Sequence, residues 1–118
     1  MDFFGRFFSE QAPTLDVMDL HEKIRNGDQL FLLDVHEPDE FRLGHIASAK
    51  LIPLGELGNR TNELSGDCAI VCICASGNRS KAAVQILKGK GRSASSLRNG
   101  MIGWQKANLP IKKGMDYA

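Results

Sequence analysis

The sequence has no apolar stretch long enough to cross a bilayer, no excess of basic residues and very little cysteine. The first absence excludes a membrane-spanning helix. The opening Met1-Asp2-Phe3-Phe4-Gly5-Arg6-Phe7-Phe8 also lacks the continuous apolar run and small-residue cleavage site of a secretory signal, so the expected address is the cytoplasm. A net charge of +1 provides no basic surface to attract nucleic acid, and no nucleic-acid partner is expected. The three cysteines, Cys68, Cys72 and Cys74, cannot all pair within the chain, and no matching His or Cys group completes a zinc site. They read as reduced thiols, at least one of them reactive, with no metal or cofactor expected.

What is present suffices for one domain: 118 residues can close a hydrophobic core without disulfides, and 42% hydrophobic residues is ordinary for a globular chain. Asp16 as N-cap, Val17, Leu20 and Ile24 at helical spacing, and Gly27 as stop predict a helix over 16–26. Leu30-Phe31-Leu32-Leu33, ending at Asp34, and Ala69-Ile70-Val71-Cys72-Ile73, ending at Cys74, show no polar alternation. Such runs are strands of a parallel sheet covered on both faces. Between them the pattern predicts a short helix over 38–43, a strand over 49–52 and a helical connection over 54–64. After the cysteine loop, Ser80 is expected to cap a helix carrying Ala83, Ile86 and Leu87, broken by Gly89 and Gly91. A last strand over 95–97, a turn at Asn99-Gly100 and a closing helix over 103–108 complete the reading. Alternating strands and helices predict an α/β fold, an open sheet with helices on both faces.

Chemistry in such sheets collects at the carboxyl ends of the strands, where loops meet helix N-termini. Cys74 stands there, followed by Ala75-Ser76-Gly77-Asn78-Arg79-Ser80. Gly77 lets backbone approach a ligand closely, and the free N–H groups of the next helix and successive loop amides make a nest that favours a thiolate. Arg79 is expected to add a permanent positive charge. A buried strand-end cysteine would be the bland reading of Cys74 alone, but it leaves the Gly, Arg and Ser that follow unexplained.

The chain resembles the rhodanese family of sulfurtransferases. The resemblance runs from about Leu15 to Ile111. It rests on Leu32-Leu33-Asp34-Val35, Glu37-Pro38-Asp39-Glu40-Phe41, Gly44-His45-Ile46, Ile52-Pro53-Leu54, the loop from Cys74 to Ser80, Gly100-Met101-Ile102-Gly103-Trp104 and Leu109-Pro110-Ile111, in that order and spacing. It implies a parallel five-stranded sheet flanked by helices, with a rhodanese-like domain over 14–113, a Phe-rich extension over 1–13 and a tail over 114–118.

The implied chemistry makes Cys74 the nucleophile. It takes the outer sulfur of thiosulfate or a persulfide, becomes a persulfide itself, and yields that sulfur to cyanide, a thiol or a partner protein. Ala75, Ser76, Gly77, Asn78, Arg79 and Ser80 would bind the substrate. Donor leaving groups of low pKa depart without protonation, so no acid need stand beside the cysteine. Two other readings share the architecture. A Cdc25-like phosphatase or arsenate reductase has five residues between its cysteine and arginine, where this chain has four. A non-catalytic binding module often lacks the cysteine, which this chain keeps.

Three positions depart from the family. Ala75 stands where many members carry a basic residue, which puts efficient use of dianionic thiosulfate in doubt. His36 replaces a common arginine, and Asn99 a frequent glycine. Asp34 and Glu40 are expected to orient the loop or neighbouring basic groups. His21, His36 and His45 form no ligand pair, His45 is expected to be structural, and Trp104 belongs in the core. Cys72, on the same strand face as Cys74, lies too far along an extended chain for an unstrained disulfide. Phe3, Phe4, Phe7 and Phe8 would line one side of a helical turn and cover an edge of the domain or fray. Arg6 alone draws little anionic lipid, so membrane docking is not expected.

Overall fold

The computed structural model describes residues 12–115, and within them the two apolar runs are neighbouring strands at the centre of one sheet. The elements in chain order are Thr14–Leu15 (β1), Val17–Arg25 (α1), Leu30–Asp34 (β2), Pro38–Leu43 (α2), Lys50–Leu51 (β3) and Leu54–Leu57 (α3). A 3-10 turn, Thr61–Glu63, leads to Ala69–Ile73 (β4), Asn78–Gly89 (α4), Ala94–Leu97 (β5) and Gly100–Lys106 (α5). The strands lie in the order β1-β5-β4-β2-β3, and every pairing is parallel. None of the helices among the described residues is long and apolar enough to cross a membrane.

The lack of polar alternation in β2 and β4 has its cause in two cores, one on each face of the sheet. Leu33, Ile70 and Cys72 pack with Leu57 of α3 and Ala83, Val84 and Leu87 of α4. Their alternate neighbours Leu32, Val71 and Ile73 pack with Leu20 of α1, Phe41 of α2 and Met101 and Trp104 of α5. A side chain such as Leu33, with no exposed surface, contributes about 1.5–3 kcal/mol by burial.

Four expectations change. The fifth strand is Thr14–Leu15, which two residues of sequence pattern cannot announce; it pairs with β5 through Thr14↔Ser96 and Leu15↔Leu97. The connection over 54–64 is not one helix but α3 and the 3-10 turn, interrupted where Asn59 and Arg60 donate their N–H groups to Glu56 and Leu57. The last helix begins at Gly100, three residues before the expected start, because Asn99 (φ 65°) and Gly100 (φ 50°) turn the chain directly off β5. Ser80 does not cap α4. That helix starts at Asn78, after Gly77 in the left-handed conformation (φ 110°).

At the chain ends, Ala12 is buried in the α4-side core and the Pro13 carbonyl accepts the Ser96 N–H (2.8 Å). Met115 packs on the other core, and the Gly114 N–H reaches the Arg42 carbonyl (2.8 Å). Phe3, Phe4, Phe7 and Phe8 lie outside the described residues.

The strand order places the site. The crossover leaving β2 goes to β3 on one side, and the one leaving β4 goes to β5 on the other. The carboxyl ends of β2 and β4 thus flank a crevice at a topological switch point, where ligands of open α/β sheets bind. Asp34 and Ile73 are register partners at those ends, and Cys74 follows immediately.

Candidate active site

Cys74 emerges from the central strand into the loop that starts α4, and its residue is only 1% exposed. Its Sγ accepts the N–H of Gly77 (3.1 Å) and of Ser80 (3.3 Å). Gly77 can aim its amide inward because its φ of 110° is open to glycine and strained for other residues. The Ser80 amide is one of the free donors of the first turn of α4, whose dipole also favours negative charge. Two main-chain donors and a helix terminus therefore stabilise an anionic sulfur.

Beneath the loop lies a buried hydroxyl pair. Ser80 Oγ donates to the Gly77 carbonyl (3.0 Å) and lies 2.6 Å from Ser96 Oγ. With the Ser80 proton so used, Ser96 is the donor between them. The Cys74 S–H in turn meets Ser80 Oγ at 3.6 Å. Ser96 was missed by sequence reading; its one signal was a serine without evident purpose inside a candidate strand.

The loop is also held from outside. The N–H groups of Met101 and Ile102 bind the carbonyls of Cys74 (2.8 Å) and Ala75 (3.0 Å). Any Cβ on Gly100 would collide with those same two carbonyls, so the clamp requires glycine. This is a second contribution hidden from the sequence, where Asn99-Gly100 read only as a turn.

Arg79 is tied to a carboxylate across the crevice. Its guanidinium makes a two-pronged bond to Glu40 (2.7 and 2.9 Å), from α4 across to α2. Glu40 also accepts the Glu37 N–H (3.0 Å), the reciprocal half of a capping box with Pro38 at its first turn. The Arg79 hydrogen bond outweighs the desolvation that opposes it and holds the Glu40 carboxyl down at about 2. The same pairing raises Arg79 above its already high value.

Asp34 acts on His36. Its Oδ1 accepts the His36 N–H (3.0 Å) and lies 2.6 Å from His36 Nδ1, a close electrostatic contact without the alignment of a hydrogen bond. Both residues are buried. His36, Glu40 and Ala75 share the wall of a cavity of about 590 Å3 with Leu43, Met101 and Lys106. Ser76 borders a smaller one of about 250 Å3, and Ser76 and Asn78 are exposed.

The remaining residues are structural. His45 stacks on Phe41 (3.6 Å between ring centres) and donates Nδ1–H to the Phe41 carbonyl (2.8 Å). Trp104 is buried, gives its indole N–H to the Pro110 carbonyl (2.7 Å) and takes the His21 ring edge-on. Cys72 is fully buried; desolvation, and then the nearby Cys74, push its thiol up to about 12, so it stays protonated and inert at neutral pH.

The family described as Rhodanese-like domain matches residues 16–107. The putative sulfurtransferase YtwF of Bacillus subtilis is 33% identical over 91 residues, covering 77% of this chain and 88% of that protein. The HTH-type transcriptional regulator Rv0324 of Mycobacterium tuberculosis is 38% identical over 92 residues, or 76% of this chain. The chain spans 41% of that regulator and 56% of another curated relative. Among solved structures, a rhodanese-related protein of Thermoplasma volcanium superposes with a TM-score of 0.78 at 34% identity, covering 85% of this chain and 97% of that one.

Proposed function

Since the chain belongs to the rhodanese-like domain family, we propose that it is a sulfurtransferase in which Cys74 carries the sulfur as a persulfide between a donor and a thiophilic acceptor. The observation that carries this reading is the pair of main-chain amides, from Gly77 and Ser80, on Cys74 Sγ. The thiolate attacks the outer sulfur of thiosulfate or a persulfide, the donor's S–S bond breaks, and the remainder leaves as an anion. Cys74 is then Cys-S-S(-). Amides that face a thiolate also face this anion, so one set of donors serves both charged states. A thiol, cyanide or partner protein next takes the outer sulfur and restores the thiolate.

The site residues divide into two sets. Gly77 and Ser80 supply the amides, with Ser76 and Asn78 completing the ring. Arg79, Glu40, Asp34 and His36 act as positioning residues: Glu40 holds Arg79 and thereby the start of α4, and Asp34 holds His36 against the cavity. The commitment of Arg79 to Glu40 weighs against phosphate-ester chemistry, which would need that guanidinium on the substrate oxygens.

Intact-mass analysis tests the reading. Protein incubated with thiosulfate or a small persulfide should gain one sulfur on Cys74, and with cyanide it should release thiocyanate. Cys74→Ser should abolish both and Cys72→Ser should largely spare them. Absence of added sulfur on Cys74 with every donor tried would exclude sulfur transfer.

A further inference from the structure

The cavity beside the loop differs in size and chemistry from what a small inorganic donor requires. It is an open cleft of about 590 Å3, a volume in the range of organic-ligand sites, and a thiosulfate ion would leave most of it to water. It adjoins the reacting cysteine through Ala75. Met101 and Ile102 form another part of its wall, and their N–H groups are bonded to the Cys74 and Ala75 carbonyls. The wall and the loop are therefore joined through the main chain.

Its lining is largely hydrocarbon. Leu43 and Ile102, 74% and 52% exposed, leave apolar surface at the rim uncovered, with Met101 and Ala75 behind them. Its polar groups are unequal in availability. The Glu40 carboxylate is taken by Arg79, and His36 is held by Asp34. Ala75 brings no charge to the loop. Lys106 forms no ion pair among the described residues, and it borders both this cavity and the one at Ser76. Lys106 therefore shares the walls of these two cavities with Ala75 and Ser76 of the loop, with the apolar Ile102 lining both. An extended donor with its sulfur at the loop and an anionic group along this wall can use both the loop and Lys106.

Resting on the sulfurtransferase reading above, we infer that this cavity is a donor subsite selective for organic persulfides bearing a carboxylate, with Lys106 binding the carboxylate and Leu43, Met101 and Ile102 covering the carbon skeleton. In the step it serves, the Cys74 thiolate attacks the outer sulfur of R–S–SH. The new S–S bond forms as the old one breaks, R–S(-) leaves and takes up the proton of the transferred sulfur through solvent, and Cys74 is left as Cys-S-S(-). No external oxidant or reductant is consumed.

Single-turnover loading of Cys74, followed by intact mass, tests this with three probes: glutathione persulfide, ethyl persulfide and thiosulfate. Glutathione persulfide should load at least about tenfold more efficiently than thiosulfate. Lys106→Ala should raise its half-saturating concentration by about twofold to fivefold, as expected for one lost exposed ion pair, and leave the saturated rate unchanged. Lys106→Arg should restore the wild-type value. Ethyl persulfide, which has no carboxylate, should be indifferent to both changes. Lys106 is exposed, so folding of the variants is not in question. Equal or better loading by thiosulfate, or a Lys106→Ala effect shared by all three probes, would overturn the subsite while leaving Cys74 a sulfur carrier. Loading by no probe would overturn both.

Discussion

The reactivity of the central sulfur depends on hydrogen bonds that cannot be replaced one at a time. Ser80→Ala keeps the amide on Sγ but removes the hydroxyl that serves Gly77 and Ser96, leaving a fully buried Ser96 without its partner. An unsatisfied buried hydroxyl costs about 1–3 kcal/mol, and a fall of that size in the free energy of urea unfolding is expected. Ala75 answers a different question. Ala75→Arg adds a positive charge to the loop beyond that of Arg79, whose guanidinium is shared with Glu40. It should raise thiosulfate loading by roughly fivefold, the equivalent of about 1 kcal/mol of ion pairing at a half-exposed site. Unchanged thiosulfate kinetics would mean that another group already supplies the charge.

At the scale of elements, α5 positions the loop as much as α4 does. Gly100→Ala drives a methyl group into the Cys74 and Ala75 carbonyls, so the two hydrogen bonds from Met101 and Ile102 must open. Loss of persulfide formation together with a lowered Tm is expected, while circular dichroism should still report the α/β fold. The limits of sequence reading are of the same kind. Leu30–Asp34 and Ala69–Ile73 were legible because a strand between two cores must be apolar throughout. The Cys74 loop was legible because glycine, arginine and serine follow at fixed offsets. Thr14–Leu15 was too short to carry a period, and the start of α5 was disguised by two left-handed residues that resemble a turn. The roles of Arg79, Ser96 and Gly100 depend on partners 39, 16 and more than twenty residues away, so no local pattern records them.

The whole molecule shows its acid response through one of those distant pairs. Glu40, held at about 2 instead of its ordinary 4.5, joins the β2–β3 crossover to the start of α4. Because the folded state depresses this carboxyl, its contribution is complete above about pH 4.5, falls as pH drops from there, and is gone below about 2. Glu40→Gln should lower Tm at neutral pH and flatten the Tm profile between those limits. Both Glu40 and Arg79 are partly exposed, so high salt should weaken the wild-type effect. An identical acid limb in the two proteins would assign the response to other carboxylates.

The cradle around Cys74 is written in main chain: two amides on its sulfur and two more on the carbonyls of Cys74 and Ala75. Backbone groups survive replacement of the side chains attached to them. Positions 75, 76 and 78 therefore form a rewritable surface around an invariant reaction, and diversifying them by mutation should retune which molecules deliver or collect sulfur without erasing the capacity to carry it. A scaffold of this kind can change clients over evolutionary time, or in a directed-evolution experiment, while its chemistry stays the same.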